Sequence, residues 1–233
     1  FTIDTPIKVA QFGISSVISL CDDELCEYTR QYCCEKYALP YEPIKKHESD
    51  FRARRFTAYL NLVNTIVNQQ IDELRSQVFE TDSDLDKYFT LLPDTSSLKQ
   101  QYNEMCDQDD LTQKERQQSE LRKQVIPGSI DVNIMTKVDK DNYKKDEKLP
   151  VEYNDAHAAL RGFANSKLNS SVVLSAGMNP RLYAYMSQFD DFFPDENGTF
   201  KKRIILKVSD YRSALIQGKF LAKKGLWVSE YRI

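Results

Sequence analysis

Five short apolar runs recur along this chain, Ile7–Ile14, Ile130–Thr136, Ser171–Gly177, Lys202–Ser209 and Leu226–Ile233, and the first four each lead into a segment with helical spacing. "IKVAQFGI" precedes "SLCDDELCEYTRQYCCEKY", and "IDVNIMT" precedes "VEYNDAHAALRGFANS". "SVVLSAG" precedes "NPRLYAYMSQF", and "KRIILKVS" precedes "DYRSALIQGKFLAKKG". Runs rich in Val, Ile and Leu that are joined through helices read as parallel inner strands covered on both sides. Their crossovers are right-handed, which leaves a doubly wound sheet or a (β/α)8 barrel. A complete barrel has eight strands. The expected class is therefore α/β, a partial (β/α)8 TIM-barrel-like parallel sheet with a helical insertion. The final run then reads as an inner strand whose successors are absent, and the non-methionine Phe1 agrees with a fragment.

Glycine separates the insertion from the rest, because none occurs between Gly13 and Gly128. In "FRARRFTAYLNLVNTIVNQQIDELRSQVFE", Phe56, Leu60, Val63, Val67, Leu74 and Val78 form the stripe of an amphipathic helix of about eight turns. A second polar stretch places Leu98, Tyr102, Met105, Leu111, Leu121 and Val125 among good helix formers, as in a hairpin or small bundle. The expected divisions are residues 1–49, a first βα unit; 50–128, the helical insertion; and 129–233, further βα units.

With 32 Lys+Arg against 35 Asp+Glu and mixed signs, the chain carries no basic field for nucleic acid or anionic membrane. No apolar run approaches the roughly 20 residues of a membrane helix, and the N-terminus lacks a signal-peptide layout, so a cytoplasmic protein acting on a small-molecule substrate is expected. The oligomeric state is not legible. Five cysteines cannot all pair, and "CDDELCEYTRQYCC" lacks the C-x2-C spacing of zinc sites. No metal is expected.

Ligands of parallel α/β folds gather at the C-terminal ends of strands. The residues to inspect are therefore Gly13–Ser16, Asn133–Lys137, Ser175–Asn179, Lys207–Asp210 and Ser229–Arg232. Gly13 permits close backbone approach, Asn133 can both donate and accept, and Lys207 adds a positive charge to an apolar strand. Alternation puts Ile205, Lys207 and Ser209 on one face and Ile204, Leu206 and Val208 on the other. Lys207 either faces an anionic or electron-rich ligand, or points outward and pairs with a carboxylate such as Glu230. His157 lies near the apolar face of its helix and reads as structural, and His47 sits in a charged loop. Asp22–Asp23 reads as a helix start. Nucleophile-elbow, P-loop and G-x-G-x-x-G patterns do not occur.

The order of strand endings resembles the flavin-binding barrels of the nitronate monooxygenase (2-nitropropane dioxygenase) family. "TPIKVAQFGISS" is similar to that family's opening strand and flavin loop, "IDVNIMT" to its Gly-Val-Asn strand, and "VVLSAGMNPRLYAYM" to its central strand and Pro-initiated helix. "RIILKVSDYRSALIQGKFLAKKGLWVSEYRI" is similar to its lysine-bearing strand, the helix after it and the strand beyond. The resemblance implies an FMN-dependent oxidoreductase in which Asn133 and Lys207 contact the flavin ring and the backbone at Gly13 and Ile14 lies beneath it. The catalytic histidine and phosphate-binding glycines of the family would follow residue 233. Phe12–Gly13 departs from the family's usual pairs there, and the block from Asp50 to Val125 has no counterpart. Two other readings stand beside this one: an interaction module presenting Arg52, Arg54 and Arg55 or an apolar stripe, and a flavin-free phosphate-binding barrel enzyme.

Overall fold

The computed structural model describes residues 3–175 and 177–233; Phe1, Thr2 and Ala176, the last within the Ser175–Asn179 strand ending, lie outside them. Strands β1 (Ser16–Ser19), β2 (Ile130–Met135), β5 (Ser170–Ser175), β6 (Lys202–Lys207) and β7 (Val228–Arg232) form a five-stranded sheet in the order β1-β2-β5-β6-β7. Registers such as Val132↔Val172, Val172↔Ile204 and Leu206↔Tyr231 are parallel. Along β1 and β2, Ser16 and Leu20 donate to the carbonyls of Ser129 and Asn133, a constant offset that makes this pair parallel too. The remaining strands, β3 (Tyr143–Lys144) and β4 (Glu147–Lys148), form a small antiparallel hairpin after β2.

Strand order equal to chain order has a geometric consequence. Each crossover steps one strand in the same direction, so right-handed connections put all the linking helices on one face. A doubly wound sheet reverses its strand order at a switch point, and this one does not. The helix-side face is apolar: Ile18, Val132, Ile134, Val172, Leu174, Ile204 and Leu206 are all buried. The helices following these strands are α2 (Asp23–Lys36), α7 (Asp155–Ala164), α8 (Pro180–Met186) and α9 (Tyr211–Ala222). Side chains of opposite parity form the other face, and many of these are polar.

Residues 17–64 and 130–233 belong to one compact unit, and residues 4–16 and 65–129 to a second. Helix α3 (Phe51–Ser76) contributes its first half to the sheet unit and its second half to the other. In the sheet unit it meets α7 at Gly162, where an added Cβ would lie 2.5 Å from Cβ of Phe56. The second unit contains α1 (Thr5–Val9), α4 (Asp84–Thr90), α5 (Ser97–Cys106) and α6 (Leu111–Gln124). Ile71, Leu74, Leu85, Tyr88, Phe89, Tyr102, Met105, Leu121 and Val125 make its core. Its closing loop is tight at Gly128, where an added Cβ would stand 2.1 Å from the Ile14 carbonyl oxygen.

One expected strand is replaced. Ile7–Ile14 is not extended: α1 carries Pro6 in its first turn, Ala10–Phe12 continues as a 3-10 turn, and Gly13 closes it at φ 74°. The first strand begins only at Ser16. Proline fits a helix start and glycine fits a left-handed closing position, and both outweighed the strand-like composition of the run.

Candidate functional site

The polar face of the sheet is assembled by register. Asn133 lies beside Val173, Val173 beside Ile205, and Ile205 beside Glu230; one pair further on, Met135 lies beside Ser175 and Lys207 beside Arg232. Asn133 donates from Nδ2 to Ser19 Oγ at 3.3 Å, which brings β1 onto the same face. Arg232 donates from Nε to Glu230 at 2.5 Å, so this pair largely satisfies itself. Lys207 is exposed near the C-terminal end of β6, as its alternation requires.

Asn133 and Lys207 therefore share one surface. They are two strands apart and one residue pair offset, about 10 Å across and about 7 Å along. Gly13 and Ile14 precede β1 and belong to the helical unit, where Gly13 lies against the Tyr88 ring and the Ile14 carbonyl packs on Gly128.

A cavity of about 440 Å³ opens at the C-terminal ends of β1 and β2. Leu20, Ile134, Met135, Val138, Phe51 and Phe56 give it an apolar floor, and the starts of α2, α3 and α7 bring charged groups to its wall. Asp22 caps α2 by accepting the N–H groups of Glu24 and Leu25. Asp23 holds Arg55 Nη1 at 2.8 Å and Arg52 Nε at 3.2 Å, Arg52 also binds Asp155, and Lys46 binds Glu24. Cys21 stands at the lip, its thiol pKa pushed up by burial and then by neighbouring Asp22. The three arginines read from sequence as a charged helix face are thus occupied within the chain, since Arg54 pairs with Glu48. Sequence reasoning found Asp22–Asp23 as a helix start but missed the cavity, which depends on Arg52 meeting carboxylates from two distant segments.

The loops after β2 and β5 are stitched together by one carboxylate. Asp139 accepts from the Ala156 N–H at 3.0 Å, from Asn179 Nδ2 at 3.1 Å and from His157 Nδ1 at 3.0 Å. An ionised carboxylate only accepts, so His157 carries its proton on Nδ1. Burial opposes ionisation of Asp139, but hydrogen bonds from His157, Asn179 and Ala156 outweigh it and hold its pKa below the usual range. Nε2 of His157 has no hydrogen-bond partner and the residue is fully buried. Thr136 adds hydrogen bonds to the carbonyls of Ser175 and Gly177.

Among the described residues, no helix is long and apolar enough to cross a membrane. The chain matches no family model, no curated protein and no solved structure.

Proposed function

We propose that this chain supplies the ring-contacting part of an FMN-dependent oxidoreductase of (β/α)8 type, similar to the nitronate monooxygenases. The observation that carries the reading is the sheet: five parallel strands in chain order, with Asn133 and Lys207 two strands apart on one face. Successive strands laid down in one direction are how a barrel is wound, and the face away from its helices becomes the interior. Asn133 and Lys207 stand on one sheet face, and their residue types suit the chemistry of a flavin's pyrimidine end. Asn133 offers both a donor and an acceptor to the ring's hydrogen-bonding edge, and Lys207 offers a cation to the side where negative charge develops on reduction. When bound, the flavin would supply the redox chemistry, while the protein positions it and excludes water.

The test is to purify the protein from its full reading frame, add FMN and follow quenching of flavin fluorescence. Saturable binding that weakens at least tenfold in Asn133→Ala and in Lys207→Met, with unchanged circular dichroism, supports the reading. A protein that does not bind FMN, or two variants that bind it as well as the parent, overturns it.

A further inference from the structure

Beside the cavity at the ends of β1 and β2 lies a second one, of about 560 Å³, between the loop that leads into α3 and the hairpin of β3 and β4. The two share Lys46, Phe51 and Arg52. Its hairpin wall is fixed by Asn142, which accepts from the Leu149 N–H at 2.8 Å and donates from Nδ2 to the Tyr153 carbonyl. Loop and hairpin bring three rings to this space, those of Phe51, Tyr143 and Tyr153. The tyrosines are not packed away: Tyr143 is 59% and Tyr153 36% exposed, so a ligand laid against them removes aromatic surface from water.

The charges around the rings leave a positive surplus. Both carboxylates of the lining are held by arginines outside it, Glu48 by Arg54 at 2.6 Å and Asp50 by Arg161 through both oxygens. Lys46 and Arg52 are committed in the other direction, to Glu24, Asp23 and Asp155. Lys144 and His47 remain. Among the described residues neither side chain makes a hydrogen bond or an ion pair, and Lys144 stands across the hairpin from Glu147 without pairing with it. A cationic ligand meets no uncommitted carboxylate in this lining, and an uncharged ring leaves both free groups unused.

We propose that this second cavity binds a small aromatic carboxylate, with its ring against Tyr143, Tyr153 and Phe51 and its charge toward Lys144 and His47. The volume is that of a small-molecule site, and aromatic walls with a few polar groups are the usual lining of one. Lys144 carries its ammonium on a flexible four-carbon stem that can follow the carboxylate, and His47 offers an N–H in either protonation state. The inference is independent of the flavin reading, because neither Asn133 nor Lys207 lines this cavity.

Three probes share one ring system and differ in charge: 2-naphthoate, 2-naphthalenemethanol and 2-naphthylmethylammonium. Each is titrated into the purified full-length protein at pH 7, without FMN, and followed by its own fluorescence. The expected result is saturable binding of naphthoate, at least about fivefold tighter than the alcohol, a modest preference because the two free groups are exposed. Replacing both, as Lys144→Met with His47→Gln, should bring that ratio close to one while the alcohol binds as before. Tyr143→Ser should weaken naphthoate and alcohol alike. Cys21→Phe, which adds bulk to the neighbouring cavity only, should leave naphthoate binding unchanged. Circular dichroism and the thermal midpoint of each variant confirm its fold. The proposal is overturned by alcohol or ammonium binding as tightly as naphthoate, by a ratio that survives the double replacement, by indifference to Tyr143→Ser, by loss in Cys21→Phe, or by no saturable binding. Because the probes report without flavin, naphthoate binding in a protein that ignores FMN sinks the flavin reading and leaves this site standing.

Discussion

Asp139 and Lys202 are buried charges whose effects on stability run in opposite pH windows. The Asp139 carboxyl titrates below its unfolded value of about 3.9, so its network contributes fully above that pH and is lost as pH falls through the folded value. Asp139→Asn should cost about 2 kcal/mol near neutrality, because Nδ2 would oppose donors. It should also flatten the acid limb of stability, measured as urea midpoints between pH 7 and pH 2. Lys202 is fully buried, with Nζ donating to the carbonyls of Ser166 at 3.0 Å and Leu168 at 2.8 Å. Burial lowers its pKa to about 8. Between that value and the unfolded value of about 10.4 the unfolded chain binds more protons, so this residue makes stability rise with pH across the window. The difference in urea midpoint between parent and Lys202→Met should therefore shift in the parent's favour from pH 7.5 to pH 10. A constant difference would show that Lys202 stays charged in the folded state throughout that range.

At the scale of elements, the close approach of α3 and α7 is the most specific contact. Gly162→Ala sets a Cβ against Phe56 and the Ala53 carbonyl, and Thr57 Oγ1 already bonds the Gly162 carbonyl at 2.9 Å. Overpacking of this kind costs about 1–3 kcal/mol, readable as a lower urea midpoint without loss of secondary structure. Asp22→Ala, which uncaps α2, should cost about 1 kcal/mol. The long helix was legible because Phe56, Leu60, Val63, Val67 and Leu74 repeat at helical spacing and are all buried, though Val78 of the same expected stripe falls beyond its end and is exposed; the α5–α6 pair was legible from Tyr102, Met105, Leu121 and Val125, which are buried, while Leu111 is exposed. β2, β5 and β6 were legible as compact apolar runs, whereas β7, expected as an inner strand, ends the sheet order with Ser229, Glu230 and Tyr231 exposed. Ile7–Ile14 misled because a short apolar run carries no decisive period; the signals that mattered were Pro6 and the buried pair Ile7 and Ala10 at helical spacing. The hairpin at Tyr143–Lys148 turns through Lys145 at φ 57°, with no glycine to mark it. Helix α4 went unread although Ser83, which caps the Asp86 N–H, and Leu85, Tyr88 and Phe89 at helical spacing mark it. The cavity was illegible because its wall is made by ion pairs between segments far apart in sequence.

At the scale of the whole molecule, the two sheet faces predict how the protein should respond to flavins. Asn133 and Lys207 share one sheet face, so on the proposed flavin reading this chain's contribution to binding would be to the ring rather than to a phosphate. A ligand present at a hundred times its Kd stabilises the folded state by about 2.7 kcal/mol. For a chain of this size each 1 kcal/mol moves Tm by about 2–4 °C, so saturating FMN should raise Tm by roughly 5–10 °C. Riboflavin, which keeps the ring and lacks the phosphate, should produce a rise that depends on the same residues. Lys207→Met and Asn133→Ala should remove most of the shift for both ligands. Arg54→Ala lies in the sheet unit and pairs only at the surface with Glu48, so it should keep the full shift. If riboflavin gives no shift while FMN shifts parent and Lys207→Met alike, phosphate contacts alone hold the ligand and the polar face is not its seat.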